Sequence, residues 1–219
     1  DGIRDCLLSR GLGDVYKRQF QKGQILYQGQ MTREIAHKTD QLIVVEGYMD
    51  VISLAEVGMS NAVAPLGTAL TEGQIRELWK FSTEPIICFD GDSAGMRAAV
   101  RASDRLLPIL EPGFSARFAS LPPGEDPDDI VRRGGPNKFR ELLEASTGLS
   151  DFFWETEKSN GSLETPEKQA AFFKRIRKRV GEIKNQTVRE AYKDSIEAKI
   201  NNFRASMRAV KSGTESPYN

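Results

Sequence analysis

Apolar residues fall in short unbroken runs through the first half of the chain and at helical spacing through the last third. Leu42-Ile43-Val44-Val45 is the first clear run. Four consecutive apolar positions suit a strand covered on both faces, because successive side chains leave a strand on opposite sides. Residues 48–57 then read as a helix closed at Gly58, a residue type that accepts the left-handed backbone of a helix end. Asn61-Ala62-Val63-Ala64 predicts a second, weaker strand before a turn over 65–67. Thr71-Glu72-Gly73-Gln74 has capping-box spacing and opens a helix to about Phe81. Ile86-Ile87-Cys88-Phe89 is the strongest strand signal. Ser93 is placed to cap a helix to about Leu107, and residues 114–120 predict a fourth strand. Strands alternating with helices of this length imply βαβ units, right-handed crossovers and a largely parallel sheet.

After Pro122-Pro123-Gly124 the pattern changes. Residues 125–219 show helical periodicity and almost no strand signal, broken at Gly134-Gly135-Pro136 and again over 161–166. A short helix followed by three or four more is expected, with Phe152, Phe153, Trp154, Phe172 and Phe173 as core anchors. The densest basic run, Lys174-Arg175-Ile176-Arg177-Lys178-Arg179, spreads around a helix and is read as a solvated face, with template tracking as the alternative. Residues 211–219 are polar and read as a flexible tail. At the other end, residues 1–19 follow neither period. Their string DGIRDCLLSRGLGDVYKRQ resembles translated sequencing-adapter sequence and is expected not to be native.

Composition narrows the chemistry. The 219 residues carry 31 Lys and Arg against 31 Asp and Glu. Residues 151–219 hold 14 against 10, leaving 17 against 21 in residues 1–150. A nucleic-acid binder usually carries a basic excess, so partners must be argued from the site. Cys6 and Cys88 lie far apart and His37 is the lone histidine, which leaves no zinc ribbon or finger. No apolar run reaches the roughly 18 to 20 residues of a membrane span, and no export signal is visible. A cytoplasmic setting is expected. His37 is read as a loop residue and Cys88 as a buried strand residue, neither with chemistry.

Three acidic clusters follow predicted strands. Glu46 follows the first, with Gly47 and Asp50 close behind; Asp90 and Asp92 follow the third, around Gly91; Asp126, Asp128 and Asp129 follow the fourth. Open parallel sheets bind ligands beyond the carboxyl ends of their strands, so all three clusters reach one edge. Converging carboxylates repel and would be hard to ionise together unless a cation offsets them. Oxygen donors without His or Cys favour Mg²⁺ or Mn²⁺, and two such ions could serve a phosphoryl transfer with no protein nucleophile. Glycine at Gly47 and Gly91 would let backbone and phosphate approach. Plainer readings stand beside these: Asp92 and Asp126 are good helix N-caps, and Asp90-Gly91 a turn.

At these residues the chain resembles the TOPRIM domain, whose pattern is a glutamate after one strand and Asp-x-Asp after a later one. Val45-Glu46-Gly47-Tyr48-Met49-Asp50-Val51, Phe89-Asp90-Gly91-Asp92-Ser93-Ala94-Gly95 and Leu121-Pro122-Pro123-Gly124-Glu125-Asp126-Pro127-Asp128 are similar to motifs of the bacterial DnaG-type primases. The resemblance implies an α/β fold, a TOPRIM-type mainly parallel sheet flanked by helices over 41–134, followed by a C-terminal helical subdomain over 135–210. Residues 20–40 would belong to the N-terminal part of the polymerase core. It further implies Glu46, Asp90 and Asp92 as catalytic metal ligands, Asp50, Asp126 and Asp128 completing the cluster, and two or more Mg²⁺ or Mn²⁺ sites without zinc. Lys22, Gly47, Gly67, Thr68 and Gly91 would face nucleotide or template.

The implied activity is DNA-templated synthesis of RNA primers by a nucleotidyltransferase, from ribonucleoside triphosphates on single-stranded DNA, through an RNA primer–DNA hybrid. It would act at replication forks in the nucleoid, within a primosome. The family's zinc ribbon, basic upstream half and helicase-binding domain are not seen in this sequence. The chain is therefore expected to meet the replicative helicase only through a domain outside it, and to bind metal but prime poorly alone. A TOPRIM metal-dependent nuclease and a non-catalytic nucleic-acid-binding module are the competing readings.

Overall fold

The structure, a computed structural model, describes residues 25–39, 41–65 and 70–213. Six strands form one sheet: β1 (Leu26–Tyr27), β2 (Ile43–Val44), β3 (Ala62–Pro65), β4 (Ile86–Cys88), β5 (Arg117–Ala119) and β6 (Thr147–Gly148). Their spatial order is β1-β3-β2-β4-β5-β6. The four inner strands are parallel, with Ile43 opposite both Ala62 and Ile86, and Ile86 opposite Arg117. The two edge strands run antiparallel, β1 on β3 and β6 on β5.

Burial on both faces explains the apolar runs. Leu42, Val44, Ile87, Phe89 and Phe118 point into one core, whereas Ile43, Val45, Ile86 and Cys88 point into the other. Each run thus feeds two cores through its period of two. The second core is closed by α2 (Tyr48–Glu56) and α5 (Pro127–Glu144), through Val51, Leu54, Ile130, Val131 and Phe139. The first is closed by α3 (Glu72–Leu78), α4 (Ser93–Leu106), α6 (Leu149–Ser159), α7 (Pro166–Val180) and α8 (Gln186–Gly213). Phe153, Trp154, Phe172 and Phe173 are buried as core anchors, and Phe152 stacks on Phe118 at 4.0 Å between ring centres. A fully buried side chain of this kind stabilises by roughly 1.5–3 kcal/mol.

Local signals fix the helix starts. Thr71 accepts from the Gln74 N–H at 3.1 Å while Gln74 accepts from the Thr71 N–H at 2.9 Å, both halves of a capping box. Gly58 ends the α2 turn at φ 82°. Asp92, not Ser93, caps α4: its Oδ1 accepts from the Ala94 and Gly95 amides.

Other expectations shift. A helix, α1 (Gly29–Thr39), precedes β2, so His37 lies in a helix and not in a loop. Cys88 is fully buried in its strand. The chain breaks at Gly135 (φ 73°), within α5, but then returns to the sheet as β6, so residues beyond 135 share the sheet's core. The basic run is solvated as expected, with Lys174, Arg175, Arg177 and Lys178 exposed, but its arginines are also paired. Arg177 binds Glu197 in a bidentate pair at 2.6 and 2.8 Å; Arg175 lies 3.5 Å from Glu157. Arg179 pairs with Glu157 at 2.7 Å and with Asp104. Residues 1–24 and the 211–219 tail beyond Gly213 lie outside the described residues.

Candidate metal centre

The sheet order reverses between β2 and β4. From β2 the chain moves to β3 on one side, then crosses to β4 on the other. Helices leaving the two strands diverge there, and a crevice opens beyond their carboxyl ends. Glu46 sits just past β2, and Asp90 just past β4, one on each side of that crevice.

Asp50 occupies the first turn of α2. Its Oδ2 accepts from the Gly47 amide at 3.1 Å, the backward half of a capping box, and the residue is buried. A Cβ on residue 47 would lie 3.1 Å from that same oxygen, so Gly47 leaves room for the returning carboxylate. Asp126 caps α5 through the Asp129 amide at 2.7 Å, with Pro127 at the first helical position. The plain capping readings of Asp92 and Asp126 are therefore both real. Each cap engages one carboxylate oxygen, Oδ1.

Gly91 also has a task in the fold. A Cβ there would fall 2.0 Å from the Pro122 carbonyl oxygen. Gly91 donates to the Glu125 carbonyl and accepts from the Gly124 amide, each at 2.9 Å. The missing side chain thus lets the 122–125 loop clamp onto the Asp90–Asp92 turn and draws the third acidic segment against the second.

Electrostatics bind the clusters into one site. Burial pushes Glu46 above the ordinary carboxyl range, and Asp90 and Asp92 raise it further. Burial likewise raises Asp90, with Asp126 and Asp92 adding to it. Asp50 is pushed up to about 6, first by burial and then by Asp90, Asp126 and Asp128, against the Gly47 hydrogen bond. Asp90 thus links the clusters: its charge acts on Glu46 and on Asp50, and Asp92 and Asp126 act on it. A hydrogen bond from the Asp90 backbone works against the rise of Glu46, but two buried oxygens, Glu46 Oε1 and Asp90 Oδ1, have no hydrogen-bond partner among the described residues. Asp128 Oδ1 faces Arg132 Nε at 2.9 Å as an ion pair without hydrogen-bond alignment.

Buried, unpartnered carboxylate oxygens beside like charges are costly unless a cation meets them. The donor set is oxygen alone, which suits a hard divalent ion. Among the described residues, no three His, Cys, Asp or Glu side chains stand close enough together to hold a metal ion as they are. Arg101, on α4, is a cation that sequence reading missed: its charge lowers Glu46 slightly. A lone arginine on an amphipathic helix carries no signal of its own. Lys22, Gly67 and Thr68 lie outside the described residues.

With this geometry, comparisons with known proteins become specific. A family profile described as Toprim-like matches residues 43–131, and one described as the DnaB-helicase binding domain of primase matches residues 150–201. A DNA primase of Rickettsia felis is 36% identical over 173 residues, covering 79% of this chain and 29% of its own. Among solved structures, the E. coli primase catalytic core aligns with TM-score 0.75 at 35% identity, over 83% of this chain and 58% of that one. A DnaG primase catalytic domain bound to ssDNA aligns with TM-score 0.74 at 34% identity, over 84% and 58%. The chain spans less than a third of the length of the Rickettsia relative. The helicase-binding profile falls on α6 to α8, inside this chain, whereas the sequence reading had placed that contact outside it.

Proposed function

The chain belongs to the bacterial DnaG-type primases, and from that premise we propose that its acidic edge is the catalytic centre for RNA primer synthesis on a single-stranded DNA template. The observation that carries this reading is the pair of buried oxygens, Glu46 Oε1 and Asp90 Oδ1, left without a hydrogen-bond partner among the described residues just past the two strands that flank the switch point of the sheet. Glu46, Asp90 and Asp92 would hold divalent metal, with Asp50, Asp126 and Asp128 completing the negative field. Bound Mg²⁺ or Mn²⁺, at two or more sites, supplies charge neutralisation for the transferred phosphoryl group and its leaving oxygens.

The protein's own part is positioning. β2 and β4 hold Glu46 and Asp90 on rigid strand ends. Capping ties one oxygen of Asp92 and of Asp126 to a helix start and so fixes each carboxylate's orientation. The clamp of the 122–125 loop on Gly91 holds the third acidic segment in place. Ribonucleoside triphosphates and an RNA primer–DNA hybrid would be the reactants and product at this edge. Helices α6 to α8 would present the contact for a DnaB-type helicase, placing the chain at replication forks. No helix among the described residues is long and apolar enough to cross a membrane.

The test joins metal binding to turnover. Mg²⁺ and Mn²⁺ binding is measured by calorimetry, and ribonucleotide incorporation on single-stranded DNA is assayed with the upstream half of a family polymerase core supplied. Glu46→Gln and Asp90→Asn are expected to lower incorporation by about 10²–10³-fold or more and to weaken metal binding, with the circular dichroism spectrum retained. Undiminished incorporation in both variants would overturn the assignment.

A further inference from the structure

Beside the acidic edge, a groove of about 460 Å³ runs between α4 and α6, lined in part by Met96, Arg97, Arg101, Thr156, Ser159 and Asn160. Met96 also lines a smaller cavity that includes Asp90 and Asp92, so the groove opens next to the acids. Arg97 and Arg101 are one turn apart on α4 and exposed. Residues at that spacing share a helix face, about 5–6 Å apart. Neither arginine forms an ion pair or hydrogen bond with a described residue. Arg105, one turn further on, differs: it donates to the Leu70 carbonyl. The arginines of α7 differ too, being paired with Glu157, Glu197 and Asp104.

Resting on the primase reading, we propose that this groove is a phosphate track for single-stranded nucleic acid passing the acidic edge, with Arg97 and Arg101 each meeting a backbone phosphate. A polyanion brought beside six carboxylates needs unpaired cations close by, and this pair adjoins the acids through Met96. The field of Arg101 already reaches Glu46. Thr156 and Asn160 on the opposite wall offer neutral donors to phosphate or sugar oxygens, whereas the Ser159 hydroxyl already donates to the Thr156 carbonyl at 2.9 Å. Two guanidiniums one turn apart match the repeated charge of a strand better than a single compact anion. No base-reading group is needed, because phosphate contacts position a strand without specifying its sequence.

The experiment measures fluorescence anisotropy of labelled oligo-dT and oligo-rU of equal length with the chain in Mg²⁺, between about 50 and 200 mM salt. Arg97→Ala/Arg101→Ala is expected to weaken binding roughly tenfold at the lower salt. It should also flatten the log–log salt dependence by about 1.4, from about 0.7 per phosphate contact on a single strand. Loss with oligo-dT alone assigns the track to template, loss with oligo-rU alone to primer, and loss with both to either strand. The Arg97→Lys/Arg101→Lys variant should restore most of the slope, since it keeps the charge, and so separates charge from folding defects. Removal of two lysines elsewhere, Lys168→Ala/Lys174→Ala, should leave the slope unchanged. An unchanged slope in the double alanine variant, no binding by the unmodified chain, or equal displacement by a polyglutamate of matched charge overturns the track. Metal-dependent incorporation, and its loss in Glu46→Gln, would still stand or fall separately.

Discussion

Charge is handled in opposite ways at the carboxyl edge of the sheet and in the helical layer behind it. In the layer, buried Glu157 is held between Arg175 and Arg179, and Arg179 reaches on to Asp104 while lying 5.1 Å over the Phe153 ring. Every group in that knot has a partner of opposite sign. At the edge, Glu46, Asp50 and Asp90 are raised by burial and by neighbouring acids, and two buried oxygens have no hydrogen-bond partner among the described residues. Both regions bury carboxylates. A carboxylate that finds its cation within the chain braces the fold, whereas one left without it is arranged to receive a cation from outside. The comparison can be tested by removing charge from each region in turn.

The helical knot should give the larger loss. Glu157→Gln leaves Arg179 and Arg175 without their shared buried partner, tying α6, α7 and α4 together less well. Breaking a buried pair from one side costs about 3 kcal/mol. Urea denaturation is expected to show that loss with an unchanged slope against denaturant, while metal binding at the edge stays as in the unmodified chain. Equal stability of the two proteins would mean that the knot is decorative.

Acid should act on the edge with the opposite sign. Asp50 titrates near 6 when folded and in the ordinary Asp range when unfolded, so between those values the folded chain holds more protons. Glu46 and Asp90 are shifted the same way. The penalty for ionising them is in force above pH 6 and is relieved as pH falls through that value. Metal-free protein is therefore expected to become more stable from pH 7 to about pH 5, by about 1 kcal/mol after allowing for solvent at the open crevice. Glu197, lowered by its bond to Arg177, acts oppositely, but only at lower pH, near the ordinary carboxyl range. Asp50→Asn should remove most of the gain, and saturating Mg²⁺ should reverse the slope. Thermal melts across that range with and without Mg²⁺ decide it, and a monotonic loss of stability with acid in metal-free protein contradicts the account.

The same contrast explains what could be read from sequence. Leu42 to Val45 and the run at Ile86 announced strands because both faces of each are buried, so no polar position interrupts them. The capping box at Thr71 and the acids after strands are local patterns, and they lay where expected. β1 and β6, two residues each, are too short to carry a period, and both depend on the edge of a sheet already formed. The close approach at Gly91 depends on a loop some thirty residues later, which no local pattern encodes. The ion pairs of the basic run of α7 were not legible because their partners are distant in sequence: Arg177 and Glu197 are 20 residues apart, Arg179 and Asp104 are 75 apart. Whether a charge is structural is decided by what folds against it.

The smallest effect isolates that last point. Lys174 and Lys178 belong to the same basic run as Arg175 and Arg179 but are exposed, with no ion pair among the described residues. If the stabilising power of the run came from its net charge, removing two lysines would cost as much as removing an arginine. If it comes from particular partners, Lys174→Ala/Lys178→Ala should change stability by less than about 0.5 kcal/mol, as exposed substitutions away from such contacts do. Alanine also suits a helix interior slightly better than lysine, which offsets part of any loss. Arg179→Lys, which keeps the charge but loses the planar fork that spans Glu157 and Asp104, should cost more than the double lysine removal. Parallel urea titrations of the two variants test the ordering. The reverse order would show that the run acts as a charged face, and that the arginine contacts merely accompany it.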